Sequence, residues 1–275
     1  MSALRLTLAT AIAAIGFAAG SVVAAPVLQI GAPAGEGDTG TYADYQPSTT
    51  DPKETDTAIT SGGTLYVAGV YNPNTILLGG KYPGGTFKGK NRPAGSNWTD
   101  MIDGLDNIFD QQGAILVVSV PDSTLDTALA SLQVDGLSAF YSSATESYLG
   151  DNHAPAKDGI SDFLFFNIGN FTNTAGVVPN FDDESGAADG QIKTLAITGF
   201  GDLDWAHFDV MALETDTQGQ TQVKTSIASN PNSKDVTWKP EDGVTPPLEV
   251  PEPGALGLLG LGLMGLWFAR RKIEA

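Results

Sequence analysis

The sequence predicts an all-β fold: a single jelly-roll-like β-sandwich over residues 25–239 with one or two short helices, followed by a C-terminal transmembrane helix. Two observations favour this class. The chain has 275 residues, of which 33 are glycine and 16 are proline, and only 17% are charged. Short apolar runs recur between turns rich in Gly, Pro, Asn and Asp, which is typical of all-β proteins. The length suffices for one large domain with a substantial core.

Five segments have the apolar pattern of β-strands. Ala114–Val120 and Phe163–Ile168 are almost continuously apolar, as expected for strands that are buried on both faces. The other three alternate between two faces: Thr64–Tyr71, Ile192–Ile197 and His207–Leu213. In the last of these, one face carries Phe208, Val210 and Ala212, and the other carries His207, Asp209 and Met211.

Two segments have the spacing of short helices. In the first, apolar residues recur at intervals of three or four: Trp98, Ile102, Leu105 and Phe109. In the second, Ser123–Asp126 matches a capping box and precedes leucines at a similar spacing: Leu125, Leu129 and Leu132. Turn-rich segments separate all of these elements, and no fixed-period repeat is present.

The net charge of −18 and the absence of cysteine exclude several kinds of binding and catalysis. Four of the 14 basic residues lie in the two terminal segments, so the predicted domain is even more acidic than the whole chain. Such a surface repels phosphate backbones, and we therefore expect no binding of nucleic acid. It favours solubility and the collection of divalent cations. The absence of cysteine excludes thiol catalysis, Cys-ligated zinc and iron–sulfur chemistry.

Residues 1–24 have the layout of a signal peptide. Arg5 provides a positive n-region, an apolar stretch without charge follows from Leu6 to Ala19, and small residues come next. We expect signal peptidase to cut after Ala24. A cut after Ala25 would leave Pro26 as the first residue after the cut, which is unfavourable for a protease that binds its substrate as an extended, hydrogen-bonded strand. The general export machinery is then a partner. The alternative is an uncleaved N-terminal anchor, for which the apolar stretch is short.

The C-terminal segment has three parts after a Pro-rich linker at residues 240–250. A Pro251-Glu252-Pro253 triplet comes first, followed by an uncharged Gly/Leu-rich stretch at residues 254–269 and a basic cluster of Arg270, Arg271 and Lys272. The stretch would be about 24 Å long as a helix, and flanking basic side chains can reach the membrane surface. The basic cluster predicts a cytoplasmic C-terminus in the inner membrane.

These three parts, in this order, resemble the PEP-CTERM sorting signal. The resemblance implies that an exosortase, a membrane-embedded enzyme, recognises the Pro-Glu-Pro motif at residues 251–253 and removes the tail. It also implies a host that produces exopolysaccharide, which is then a candidate partner at the cell surface or in the extracellular matrix. The two prolines keep the peptide extended and stop helix entry at the motif. The alternative is a plain single-pass anchor.

A second resemblance rests on four short stretches of the predicted domain. Leu28-Gln29-Ile30, Thr64-Leu65-Tyr66, His153 with Gly159–Phe166, and Ala206–Val210 are similar to segments of the choice-of-anchor N family. Members of that family are surface proteins with alternative anchoring tails. The resemblance implies no catalytic residues.

Catalytic patterns are weak, and we expect no enzyme activity. The two histidines are His153, in a loop with Asp151, Asn152 and Asp158, and His207, for which we expect solvent exposure or a structural hydrogen bond. The chain has no G-x-S-x-G nucleophile elbow for a serine triad. A glycosidase needs two carboxyl groups across a sugar cleft, and the candidate acids are Asp202, Asp204, Asp209 and Glu214, with Trp205 among them.

Calcium is the metal that the sequence favours. Asp182, Asp183, Glu184 and Asp189 lie in a polar, glycine-containing loop, and hard oxygen ligands at irregular spacing suit Ca²⁺. A second acidic cluster comprises Asp100, Asp103 and Asp106. Neither matches the EF-hand loop pattern, and a solvated acidic loop is the alternative for both.

The sequence therefore predicts an exported cell-surface or matrix protein with a structural or adhesive role. The alternative is a surface-anchored carbohydrate-binding module or glycoside hydrolase, in which Trp98, Trp205 or Trp238 would stack on sugars. Core packing is the competing interpretation for each tryptophan. A calcium-stabilised adhesin is a third class.

Overall fold

A computed structural model describes residues 26–47, 56–80, 113–149, 155, 159–217, 223–231 and 234–241. Predictions outside the described residues concern the signal peptide with Ala24 and Ala25, the helix at Trp98–Phe109 with its acidic cluster, the His153 loop, and the tail with Pro251–Pro253, residues 254–269 and Arg270–Lys272. Where the chain is described, no helix has both the length and the hydropathy of a membrane span. The chain divides into two units, Met1–Lys239 and Pro240–Ala275, and all the described strands belong to the first.

The smaller of two sheets has five strands. Its strands are β1 (Leu28–Gly31), β4 (Thr64–Val70), β11 (Ala188–Thr198) and β10 (Thr174–Val178) in spatial order, with β7 (Gln133–Val134) beside one end of β11. Every pairing in this sheet is antiparallel.

The larger sheet is built around one long strand. The spatial order is β2 (Tyr45–Gln46), β3 (Thr57–Thr60), β14 (Val236–Trp238), β12 (Ala206–Thr217), β6 (Ala114–Pro121), β9 (Ser161–Gly169) and β8 (Tyr141–Ser143). Strands β13 (Val223–Ser229) and β5 (Thr75–Gly79) also pair with β12. The first half of β12 therefore pairs with β14 and β6, and its second half with β13 and β5. The β3–β14 pair is parallel.

The two sheets pack face to face around one hydrophobic cluster. The cluster takes Leu65 and Val67 from β4 of the small sheet, and Leu116 from β6 and Phe208 from β12 of the large sheet. Successive strand residues point to opposite faces, so every second residue of these strands enters this core. The chain is thus a two-sheet β structure, as the alternating pattern predicted.

The outer face of the large sheet is apolar as well. Ile115, Val117, Phe163 and Phe165 form a second buried cluster there, covered by partly buried aromatic residues such as Tyr148. Strands β6 and β9 are therefore buried on both faces. This confirms the prediction made from their continuous apolar runs, and all five predicted strands are present.

The described residues contain one helix, α1 (Leu125–Ser131), and its start differs from the prediction. The N-cap residue is Thr124, whose side chain makes no capping hydrogen bond. Ser123 has a left-handed backbone with φ of 68°, so the capping box is wrong. Instead, the buried Asp162 of β9 accepts a hydrogen bond of 2.9 Å from the backbone N–H of Leu125. A carboxylate from a distant strand satisfies the helix start, and local sequence could not reveal it.

Gly69 lies where an aromatic side chain packs directly against the backbone of the small sheet. A Cβ built on this residue would lie 2.5 Å from Cγ of Phe171 and 2.8 Å from Cδ2 of Leu78. Tyr71, two residues further on, donates a hydrogen bond of 2.8 Å to the carbonyl of Phe171 and accepts one of 3.1 Å from the N–H of Leu78. The Phe171 side chain is therefore held against the backbone of β4.

Substitution of Gly69 tests this packing. We expect Gly69→Ala to lower the free energy of unfolding by about 1–3 kcal/mol, because the added methyl group must displace an aromatic ring in a filled core. Chemical denaturation measures the change. Gly62→Ala is the matched control, since its Cβ would come no closer than 3.4 Å to Thr60 Oγ1. Equal destabilisation by both substitutions would contradict the packing described.

Candidate functional site

A polar cluster interrupts the outer face of the large sheet. Met211 and Leu213 of β12 lie in the apolar part of this face, and His207 and Asp209 occupy the same face nearer the start of the strand. Both side chains are inside the protein, with exposures of 0% for His207 and 2% for Asp209. Asp235, just before β14, is also buried, at 0%.

Strand pairing brings these three residues together. His207 of β12 lies opposite Thr237 of β14 in an antiparallel register. Side chains on one face of a strand are two residues apart, so Asp209 follows His207 and Asp235 precedes Thr237 on the same side. The same register places Asp209 across from Asp235, at the point where β14 begins. Two cross-strand residue pairs, His207 with Thr237 and Asp209 with Asp235, thus form one buried site.

The imidazole of His207 is fixed at one nitrogen and faces the carboxylates with the other. Nδ1 lies 2.8 Å from Oγ1 of Thr237, a hydrogen-bond distance. Nε2 lies 3.4 Å from Oδ2 of Asp209 and 4.0 Å from Oδ1 of Asp235. The ligand atoms of the three residues are all within 4.8 Å of one another.

Neighbouring polar groups hold these side chains in place. Asn230 donates a hydrogen bond of 2.9 Å from Nδ2 to Oδ1 of Asp209, and its own Oδ1 accepts one of 2.8 Å from the N–H of Val210. Oγ1 of Thr237 is also 3.1 Å from Oγ1 of Thr57. The hydrogen bonds of Thr237 and Asn230 thus orient His207 and Asp209, an arrangement typical of built polar sites.

The cluster offers one imidazole nitrogen and two carboxylate oxygens in a buried environment. Among the described residues, it is the group of three or more His, Asp or Glu side chains whose ligand atoms converge. Of the two alternatives expected for His207, the structure shows the structural hydrogen bond, which is made with Thr237. It does not show the solvent exposure, because the side chain is buried. The sequence showed His207 and Asp209 on one face, whereas Asp235 joins them only through the β12–β14 pairing.

The four acids predicted to bind calcium have separate protein partners. Asp182 forms an ion pair of 2.9 Å with Nζ of Lys234. Oδ1 of Asp183 accepts a hydrogen bond from the N–H of Ser185, and Oδ1 of Asp189 accepts one from the N–H of Gly176, both at 3.0 Å. These acids are not in the converging group, so the described geometry adds no support to a calcium site in this loop.

Glu184, the fourth of these acids, connects two distant loops. Its carboxylate accepts hydrogen bonds from the backbone N–H groups of Thr41 and Tyr42, the latter at 3.1 Å. A Cβ at Gly40 would collide with the same carboxylate. The backbone hydrogen bonds of Thr41 and Tyr42 lower the pKa of Glu184 below its ordinary value of 4.5. This acid therefore has a structural role.

A second pair of acids lies at the end of β12. Oγ1 of Thr75 is 2.9 Å from Oε1 of Glu214 and 3.1 Å from Oδ1 of Asp216. Burial, followed by the negative charge of Asp216, raises the pKa of Glu214 above its ordinary value of 4.5. Both carboxyl groups therefore lie within hydrogen-bond distance of the same hydroxyl group.

The described tryptophans pack in the interior. Trp238 stacks on Phe200 with ring centroids 4.0 Å apart and planes at 4°, and its Nε1 donates a hydrogen bond of 3.0 Å to the carbonyl of Ser61. Trp205 is also buried, whereas the acids beside it, Asp202 and Asp204, are exposed. Trp205 and Trp238 are therefore core residues and present no face to a sugar.

A surface depression of about 310 Å³ lies near the start of the chain. Its lining is polar or aliphatic: Pro33, Gly35, Ile59, Thr60, Ser61, Gly62 and Thr64. None of these residues is an acid or an aromatic. Among the described residues, this lining lacks the combination of tryptophan and carboxylates that a carbohydrate-active site would need.

Comparison with known proteins identifies the C-terminal signal. The model of the PEP-CTERM protein-sorting motif matches residues 249–272, which include the Pro-Glu-Pro triplet, the apolar stretch and the basic cluster. No curated protein and no solved structure matches the chain. The motif implies that the protein is exported, sorted at the cell envelope through its C-terminus and processed by an exosortase.

Glu184→Gln tests the structural role of the Glu184 carboxylate, which accepts hydrogen bonds from the backbone of Thr41 and Tyr42. Its lowered pKa means that Glu184 stabilises the native state above pH 4.5 and that this contribution is lost as the pH falls through the native pKa. We expect Glu184→Gln to lower Tm at pH 7 by about 1–2 °C, because solvent screens an exposed carboxylate. The difference in Tm between the variant and the wild type should shrink as the pH is lowered from 7 toward 3.

Thermal melts monitored by circular dichroism measure both values. Glu36→Gln is the control, because Glu36 is an exposed acid a few residues before Thr41 in the chain. It should leave Tm unchanged at either pH. A Tm difference for Glu184→Gln that is the same at pH 3 and pH 7 would argue against the charge-dependent contact.

Glu214→Gln should change Tm at pH 7 in the opposite direction to Glu184→Gln. Because its pKa is raised in the native state, Glu214 favours folding below pH 4.5, and that contribution is lost as the pH rises through the native pKa. We expect the amide to raise Tm at pH 7 by about 1–4 °C and to have little effect at pH 3. Thermal melts provide the measurement, with Asp202→Asn as the exposed-acid control. A lower Tm at pH 7 would contradict the repulsion between the two acids.

Proposed function

We propose that the mature protein is a non-catalytic component of the cell surface or the extracellular polysaccharide matrix, with a structural or adhesive role. The observation that carries the proposal is the match of residues 249–272 to the PEP-CTERM sorting motif. The domain that this signal delivers is a two-sheet β structure, which we take to be one jelly-roll-like sandwich. Its likeness to the choice-of-anchor N family stays a prediction.

The proposed route has three steps. Residues 1–24 direct general export, and signal peptidase removes them. The stretch at residues 254–269 then holds the chain in the inner membrane, with Arg270–Lys272 on the cytoplasmic side. Exosortase finally cuts near Pro251–Pro253 and releases the domain toward the surface. The last described strand, β14, ends at Trp238, before the Pro-rich linker at residues 240–250.

The described geometry supports a role without catalysis. His207 is buried and hydrogen-bonded, Trp205 and Trp238 are core residues, and Glu214 and Asp216 both lie beside the hydroxyl group of Thr75. None of these arrangements gives a substrate access to a reactive side chain. The acidic surface gives the domain solubility and repels nucleic acid, and it suits a hydrated polysaccharide matrix.

Intact mass spectrometry of the protein in cells with and without the exosortase tests the sorting route. We expect the protein to lack residues 1–24 in both strains and to lack the segment after the Pro-Glu-Pro motif only when the enzyme is present. Glu252→Ala should block removal of the tail, because it deletes the one charge in the motif. Glu274→Ala, beyond the basic cluster, is the matched control and should be processed normally.

Fractionation of the same cells tests the destination. The processed form should be in the surface or matrix fraction, and the Glu252→Ala protein should remain with the inner membrane. A tail retained in both strains would show an ordinary single-pass membrane protein. A processed form found only in the periplasm would contradict the surface role while leaving the sorting step intact.

A further inference from the structure

The sorting route makes no use of the buried cluster of His207, Asp209 and Asp235. Burying charged side chains is costly unless they are paired or coordinate a metal. In this cluster two carboxylates and an imidazole occupy the outer face of a sheet that is apolar further along β12 and β6. The cluster brings an imidazole nitrogen and carboxylate oxygens of two acids within 4.8 Å of one another inside the protein, and these are the kinds of donor atom that bind a metal ion.

The orientation of His207 points to a metal ion in that role. Its Nδ1 is at hydrogen-bond distance from Thr237, which leaves Nε2 to face Asp209 and Asp235. Metal-binding histidines have this arrangement, in which the nitrogen that does not bind metal is fixed by a hydrogen bond. The 3.4 Å from Nε2 to Asp209 is longer than the roughly 2.7–2.9 Å of a charge-assisted hydrogen bond.

The same distance fits ligands around a common ion. Donor atoms that bind a tetrahedral Zn²⁺ at about 2.0–2.2 Å are separated from one another by about 3.4 Å. Nε2 of His207 is 3.4 Å from Asp209 and 4.0 Å from Asp235, and all the ligand atoms lie within 4.8 Å of one another, so the Asp235 carboxylate would move closer to bind a common ion. Asn230 holds the other oxygen of Asp209 and thereby presents Oδ2 to the imidazole.

Ser119 provides a second, independent observation. It lies opposite His207 in the β12–β6 register and on the same sheet face, and its exposure is 0%. Its Oγ has no hydrogen-bond partner among the residues that the structure describes. A buried hydroxyl beside the imidazole would be satisfied by the ion or by a water molecule bound to it.

We propose that His207, Asp209 and Asp235 bind one divalent transition-metal ion, with Zn²⁺ as the best fit. One nitrogen and two carboxylate oxygens suit Zn²⁺, whereas Ca²⁺ requires six to eight oxygen ligands. The burial of all three side chains makes the site structural. The ion joins β14 to β12 and so fastens the last described strand, which precedes the sorting tail, to the centre of the large sheet.

Elemental analysis of the full-length protein, purified in detergent without chelators, tests the proposal. We expect about one Zn²⁺ per chain, removal by a strong chelator with a lower Tm, and recovery of both on addition of ZnCl₂. Co²⁺ in place of Zn²⁺ should give the visible absorption of a tetrahedral nitrogen- and oxygen-ligated site. This spectrum needs no variant, so it remains informative even where a substitution prevents folding.

Asp209→Asn and Asp235→Asn remove ligand charge with little change of shape. Each should weaken Zn²⁺ binding at least tenfold, and zinc should no longer raise the Tm of the variant. Asp182→Asn is the matched control, because this carboxylate pairs with Lys234 outside the cluster.

Three results would overturn the proposal. The first is a chain that contains no metal and whose Tm does not respond to Zn²⁺, Mn²⁺ or Fe²⁺. The second is binding of Ca²⁺ alone, which would point to the oxygen-rich loop at Asp182–Glu184 instead. The third is unchanged zinc affinity in both Asp209→Asn and Asp235→Asn. None of these results depends on the sorting signal, so the proposed function is tested separately.

Discussion

Strand β12 is buried on both faces, and this constraint decides the rest of the large sheet. Its even-numbered residues, such as Phe208 and Val210, enter the core between the sheets, while Met211 and Leu213 contribute to the outer cluster. Because the period of a strand is two, a slip of one residue would exchange these two sets of side chains. Four strands take their register from β12, so their positions depend on the same alternation.

The polar cluster is a consequence of this double burial. A strand with only one buried face would leave His207 and Asp209 in water, where they would need no explanation. In this sheet the outer face is covered, and both residues lose nearly all contact with solvent. The hydrogen bonds of Thr237 and Asn230 orient the cluster, and the proposed metal ion would lie between its imidazole and its carboxylates.

The anchoring signal and the domain obey different physical rules. The C-terminal signal is a linear sequence of motif, apolar stretch and basic cluster, which an enzyme and a membrane can read without any fold. The domain depends on contacts between residues far apart in sequence, such as those of Glu184 with Thr41 and Tyr42. A sorting tail of this kind can therefore follow many different domains, and it carries no information about what the domain binds.

Properties that depend on local pattern were determined by the sequence itself. The sorting motif, the five strands and the helix after Pro121 could be identified because each depends on residues close together in the chain. Three long-range contacts could not be identified in this way: the hydrogen bond from the start of α1 to Asp162, the contacts of Glu184, and the approach of Asp235 to His207. Each joins segments that are between about 30 and 140 residues apart in the chain. Only the tertiary structure decided these contacts, because strand pairing and burial, rather than any local preference, bring such side chains together.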